Sequence, residues 1–504
     1  MQTRPNTQRA LKHTLKIGPS ERPLRPAALV GVALLWIVLQ TAPAGADQSP
    51  PLARQVDSLI QLHADRFADD LGVCVIDLNS GRTLASHRPD VKRIPASNQK
   101  LLTSAVALER LGADFRFVTA MYAAPGKDGK TDLILAGTGD PLLGDPRIAA
   151  ANRRSIYAEL DAWCAKAKKS LNGSAVGDLK LVIRRRPEKY RHPDWPAKQA
   201  TRWYCAPVAS LNFHDNCLDV TWPKDEDGQI APAVAPVSRF LTLVDRTKRT
   251  GKRSAWWASL TGADGVVTFR GRVLKPTSHP IPVAVNRPPL LLGRVLADRL
   301  ARAKLPVTGS LDRISLADVP RERLTLIARS ATPLKAVLRR ANKRSLNMAA
   351  EAMLLRAGDW TWTGSAKLAT RTLRRTFGLD ANALAVSDGS GMSRKNRITP
   401  RAMTTLLRAV LKHKGGKALL ASLPRGGEKD ASLRRRLATK PYAGRVAAKT
   451  GTLTGVWGLS GYVLDRKHRP AVAFSVLVNG GSSGPAKQLA DAVAALAVDY
   501  VDGK

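Results

Sequence analysis

Pro95-Ala96-Ser97-Asn98-Gln99-Lys100-Leu101 joins a turn to a helix. Leu101, Ala105 and Leu108 fall on one face and Gly112 follows as a stop, which predicts a helix over 97–111. Ser97 and Lys100 stand three residues apart, so on a helix they share a face. A serine hydroxyl is a poor nucleophile until a base takes its proton. Lysine is such a base when burial or a nearby cation lowers its pKa. The helix start also offers free N–H groups and a positive dipole end to an oxyanion. The same four residues equally suit a plain helix start capped by serine. Partners must therefore be sought elsewhere in the chain.

Two further clusters supply them. Arg445–Ala448 leads into Lys449-Thr450-Gly451-Thr452, which sits on a predicted strand. An ammonium and two hydroxyls on a strand edge suit a carboxylate, and Gly451 is expected to leave room for a substrate backbone. A solvated strand end is the plain alternative. Ser345-Leu346-Asn347 lies between two predicted helices, with a hydroxyl to pass a proton and an amide to hold a carbonyl, or simply to cap a helix. A second S-x-N, Ser210–Asn212, has no helix after it, so position favours Ser345.

Outward from these clusters the chain divides. Val73–Leu78, the turn Asn79–Gly81 and Arg82–His87 read as a hairpin, with Cys74 inert in its core. Residues 122–324 carry short β-type runs, Pro/Gly turns and basic clusters, and read as one or two inserted domains. Helices return with Thr332-Pro333 as a capped start, Met348–Arg356, and Thr399-Pro400 running toward Gly415. Leu459–Leu464 and Ala471–Val478 form a second hairpin before a last helix, Ala486–Val498. Early and late strands around central helices predict an α+β sheet built from both chain ends.

Hydrophobic residues at 44% and charged ones at 24% describe a soluble globular chain, and 504 residues predict more than one core. The net charge of +41 attracts anionic partners without choosing among them. A basic leader, an apolar run Ala27–Leu39 too short to span a bilayer, and Ala44-Gly45-Ala46 give residues 1–46 the layout of a secretory signal. An uncleaved anchor is the alternative. The expectation is an exported chain in the periplasm or cell envelope, with no membrane span after signal removal and no nucleic-acid partner. Four cysteines permit disulfides there, and Cys205 with Cys217 is the pair expected, Cys164 lying on a helix. No histidine spacing suggests zinc, so no metal is expected. Arg184-Arg185-Arg186 with Tyr190 and Trp195 reads as a solvated loop, or as a grip on an anionic polymer. Gly480–Gly484 fits G-x-S-x-G, but an α/β-hydrolase needs a histidine downstream and the last one is His468.

S-x-x-K, S-x-N and K-T-G in that order form the signature of penicillin-recognising serine enzymes. The chain resembles the large-insertion D-alanyl-D-alanine carboxypeptidase/endopeptidase family, the low-molecular-mass class C penicillin-binding proteins. Pro95–Leu101 is similar to its P-A-S-N-x-K-L, Gly137–Pro141 to its G-x-G-D-P, Asp388–Asn396 to its D-G-S-G-L-S-R-x-N, and Lys449–Leu453 with Leu459–Tyr462 to K-T-G-T-L and L-S-G-Y. It departs from the family where S-D-N reads Ser345-Leu346-Asn347, at Asp430–Leu433, and across Arg184–Trp195. The resemblance implies a serine β-lactamase/DD-transpeptidase-like α+β domain from 47–121 and 325–504, with a large β-rich insertion at 122–324. It implies Ser97 as nucleophile, Lys100 as its base, Ser345 beside Lys449 as proton relay, Asn347 on a substrate amide, and Lys449, Thr450 and Thr452 on a terminal carboxylate. Backbone N–H groups of Ser97 and Thr452 would hold the oxyanion. It implies peptidoglycan stem peptides as substrate, β-lactams as covalent inhibitors, and no cofactor. A β-lactamase or esterase of the same fold, and a non-catalytic wall-binding protein, are the competing readings.

Overall fold

The computed structural model describes residues 51–184 and 190–503. The expected signal, and Arg185 and Arg186, lie outside them. In chain order come α1 (Pro51–Gln61), β1 (Leu71–Asp77), β2 (Thr83–His87) and α2 (Gln99–Leu111). Next are β3 (Arg116–Pro125), β4 (Thr131–Gly137), α3 (Ala158–Leu171), β5 (Val176–Ile183), β6 (Cys217–Trp222) and β7 (Ala233–Ala235). They are followed by β8 (Thr242–Lys248), β9 (Ala255–Thr261), β10 (Val266–Arg272), β11 (Thr277–Ala284), α4 (Pro288–Arg302), β12 (Leu311–Ser315) and β13 (Thr325–Pro333). Last come α5 (Leu334–Lys343), α6 (Asn347–Ala357), α7 (Trp362–Arg375), β14 (Leu384–Ala385), β15 (Arg397–Ile398), α8 (Pro400–Lys412), β16 (Val446–Leu453), β17 (Val456–Leu464), β18 (Pro470–Val478) and α9 (Ser483–Val501).

The two chain ends form one antiparallel sheet in the order β16-β17-β18-β1-β2. Alternate residues of a strand face opposite sides. Val73 and Val75 accordingly enter a core shared with α1 and α9, while Cys74 and Ile76 enter the core built by α2, α5, α6 and α8. Helices on both faces explain why β17 is buried along its whole length. Of the described helices, none is long and apolar enough to cross a membrane.

Between α2 and α5 the chain builds a separate core with three sheets. Their orders are β12-β5-β4-β3-β13, β11-β6-β7 and β8-β10-β9. Helices α3 and α4 pack into this core. The sequence reading passed over α4, which opens on Pro288-Pro289 at its first turn. The helix expected from Thr332 starts at Leu334 instead, because β13 runs through Pro333. Thr332 does not cap it; its hydroxyl donates to buried Asp140 at 2.6 Å.

All four cysteines are buried and free, so the expected Cys205–Cys217 disulfide is absent. The Cys217 thiol donates to the Asp215 carbonyl at 3.4 Å instead, and burial pushes the thiols of Cys205 and Cys217 up, which keeps them protonated and unreactive. Nor do Tyr190 and Trp195 form a binding surface: both are buried, and Arg184 lies over the Trp360 ring.

The insertion is clamped to the helices by charge. Arg340 of α5 reaches Asp145 and Asp215, each at 2.6 Å, with all three largely buried. Removing a buried cation strands its carboxylates. Arg340→Ala is expected to cost about 3–5 kcal/mol, read as a lowered Tm. Adding Asp145→Asn and Asp215→Asn should return part of the loss.

Candidate active site

A 3₁₀ turn, Ala96–Asn98, leads directly into α2. Ala96 takes a φ of +46°, a conformation that costs an alanine of order 1 kcal/mol and is held here by the surrounding packing. One turn further, Lys100 is fully buried. Its Nζ lies 3.0 Å from Ser97 Oγ, 2.7 Å from Asn347 Oδ1 and 2.9 Å from the Ser390 carbonyl. A neutral amine fits this set well. It donates to the two oxygens and keeps a lone pair for the serine hydroxyl. Burial pulls the Lys100 pKa down to about 7, against the opposing pull of Glu351 and Asp388.

Ser345 occupies the tight turn between α5 and α6 at a φ of +58°. Its Oγ receives Lys449 Nζ at 3.1 Å, and the same amine donates to the Thr450 carbonyl at 2.9 Å. Lys449 is fully buried; desolvation, and then repulsion from Lys100, hold its pKa well below the usual lysine range.

Sheet position decides what β16 presents. It is the edge strand, so only its inner side pairs with β17. On the outer side Ala448 N–H donates to Pro424 and Val446 accepts from Gly426. By the two-residue period of a strand, the N–H groups of Thr450 and Thr452 face outward as well. The Thr452 hydroxyl donates to the Gly451 carbonyl at 2.8 Å. Gly451 does not leave room for substrate. A Cβ there would meet Asn98 Nδ2 at 2.5 Å and the Pro95 carbonyl at 2.7 Å. The glycine brings β16 against the turn that carries Ser97.

Ser97, Lys100 and Asn347 form one hydrogen-bonded group and Ser345, Lys449 and Thr450 another, close enough that Lys100 repels charge on Lys449, with Gly451 and Thr452 alongside. Ser210 and Asn212 stand elsewhere. They are buried, and bond the Val182, Asp140 and Ala209 carbonyls.

Other residues of the site escaped the sequence reading. Asn347 Nδ2 donates to the Tyr204 carbonyl at 2.8 Å, so the insertion reaches the catalytic cleft. Glu351, one turn beyond Asn347 on α6, accepts the N–H groups of Gly389 and Ser390 at 2.7 and 2.8 Å. It thereby fixes the carbonyl that holds Lys100. Asp388 folds the same loop by accepting from Gly391, Ser393, Asn396 and Trp195. Gly391, at φ +85°, lies so close to Ala96 that a Cβ would overlap its carbonyl. The D-G-S-G stretch was visible as a motif; its part in the site was not.

A serine beside a low-pKa amine, with a second buried lysine on an edge strand nearby, has the groups for acyl transfer to the serine oxygen. Fold and site together define the class, a serine acyl-transfer hydrolase. The model of the D-Ala-D-Ala carboxypeptidase 3 (S13) family matches residues 52–500, and the chain belongs to that family. A D-alanyl-D-alanine carboxypeptidase of Actinomadura sp. (strain R39) is 30% identical over 94% of this chain and 90% of its own. The D-alanyl-D-alanine carboxypeptidase DacB of Haemophilus influenzae is 24% identical over 82% of this chain and 86% of its own. The crystal structure of penicillin binding protein 4 (dacB) from Haemophilus influenzae has the same fold, with a TM-score of 0.71 at 22% identity, across 88% of this chain and 99% of that one.

General-base action needs Lys100 unprotonated, and the unprotonated fraction rises with pH through its pKa. The rate of acylation should therefore climb with pH and level off above a midpoint of about 7. A rate independent of pH from 5 to 9, measured by stopped-flow with a chromogenic β-lactam, would exclude Lys100 as the base.

Proposed function

We propose that the protein releases the terminal D-Ala of peptidoglycan stem peptides, or cuts their D-Ala cross-links, through an acyl-enzyme on Ser97. One observation carries the reading: the buried, low-pKa Lys100 amine at 3.0 Å from Ser97 Oγ. Ser97 Oγ attacks the penultimate D-Ala carbonyl as its proton passes to Lys100 Nζ. The new C–O bond pushes charge onto the carbonyl oxygen, which the N–H groups of Ser97 and Thr452 receive. Collapse breaks the C–N bond. Ser345, beside Lys449, delivers a proton to the leaving amine, and Asn347 orients the acyl side of the substrate. The substrate carboxylate sits against Lys449, Thr450 and Thr452, and its negative charge favours the ammonium form of Lys449. Water then takes the acyl group from Ser97, again with Lys100 as base. The scheme calls for no metal or cofactor.

A β-lactam imitates this substrate, offering a strained amide beside a carboxylate. Its leaving amine stays tethered after ring opening and obstructs water. Labelled penicillin should mark the protein one to one, on the peptide containing Ser97. Ser97→Ala should abolish both labelling and D-Ala release with the Tm intact. Lys100→Ala should slow acylation by at least about 10²–10⁴. Fast catalytic turnover of penicillin would support a β-lactamase instead, and labelling that survives Ser97→Ala would refute the site.

We also propose that the chain is exported, with residues 1–46 removed. Its substrate lies outside the cytoplasm, and Ala44-Gly45-Ala46 closes a signal-like leader. N-terminal sequencing of the protein from its native envelope should begin at Asp47; an intact Met1 would contradict cleavage.

A further inference from the structure

In the inserted region a groove of about 870 Å³ runs beside β9 and β11. Its lining includes Trp222, Trp256 and Trp257, and the cations Lys198, Arg202 and Lys275. The aromatic side is rigid at its base. Trp222 is fully buried, meets Trp256 edge-on at 5.4 Å, and both pack on Phe269. Trp257, by contrast, is 57% exposed, unusual for so large an apolar surface. Among the described residues, no acidic one lines the groove. The three cations are exposed, and none has an ion-pair partner among the described residues.

The wall of the groove is tied through a short stretch of backbone to Asn347. Its wall at Thr201 and Arg202 is pinned to β11, by the Thr201 carbonyl accepting from Ala284 and by a bridge from Arg202 to Val283. Two residues on, the Tyr204 carbonyl accepts from Asn347. Two residues span at most roughly 7 Å. One short segment of the insertion therefore both walls the groove and bonds Asn347.

We propose that the groove is a binding site for the peptidoglycan polymer away from the bond being cut, an inference that rests on the function proposed above. Amino-sugar rings lie on the Trp257 indole, and carboxylates of a neighbouring stem peptide sit against Lys198, Arg202 and Lys275. An exposed indole with cations also suits a membrane interface, but here they line a concave groove, which admits a chain rather than a bilayer. Peptidoglycan supplies both the ring faces and the carboxylates. Its role is to hold the enzyme on an insoluble substrate, so small soluble peptides gain nothing from it.

The test is cosedimentation of the full chain with purified sacculi, in a Ser97→Ala background so that the substrate survives. Trp257→Ala should weaken binding about tenfold, a change of roughly 1.4 kcal/mol. Lys198→Ala with Arg202→Ala and Lys275→Ala should weaken it at least as much and flatten its dependence on salt. With Ser97 restored, these variants should release D-Ala from a soluble pentapeptide at the parental rate. Sacculus binding unchanged by Trp257→Ala would overturn the proposal, as would displacement by polyglutamate as effective as by muropeptide fragments. Failure of the parent enzyme to release D-Ala from the pentapeptide would instead defeat the catalytic reading, an outcome the sedimentation measurement does not share.

Discussion

A lysine amine removed from water is the constraint on which the rest of this structure turns. An isolated buried ammonium is costly enough that such a group shifts its pKa or finds partners. Lys100 does both. Its partners are Ser97 in the 3₁₀ turn that leads into its helix, Asn347 on α6 and the Ser390 carbonyl on a distant loop. Each partner must be held in turn. Glu351 and Asp388 fix the loop, Trp195 from the insertion bonds Asp388, and Tyr204 from the same insertion bonds Asn347. The insertion is thus part of the shell that keeps the Lys100 amine in place.

Charge is handled in the same way at the second lysine. Lys449 is buried beside Ser345, where repulsion from Lys100 adds to desolvation. Two amines in one cleft resist being charged together. Such a pair suits the proposed scheme, in which Lys100 acts as base and a substrate carboxylate offsets the charge of Lys449. Strained backbone marks the same places. Ala96 and Ser345 both sit at positive φ, one directly before Ser97 and the other beside Lys449.

Much of this was legible in the chain. Ser97 and Lys100 fall on one side by spacing alone, and the apolar run Val73–Ile76 marks a strand with Cys74 in a core. The capped start at Thr399-Pro400 was equally plain, since cap and proline act locally. Expectations failed where a distant partner decided. Thr332 has the chemistry of a cap, yet Asp140 claims its hydroxyl. Cys205 and Cys217 are close in sequence, yet remain free thiols. Tyr190 and Trp195 look like surface aromatics in a basic run, yet they are core.

The sequence by itself determined the reacting groups and their local geometry, because a helix turn and a strand edge are set by neighbours a few residues away. It determined the α+β class for the same reason, through the periods of its apolar residues. Only the tertiary structure decided that Glu351 and Asp388 support Lys100, that Gly451 serves packing rather than substrate, and that Tyr204 reaches the cleft. Those contacts join segments far apart in the chain. Their energies come from burial and from the pairing of desolvated polar groups, which no local pattern of residues records.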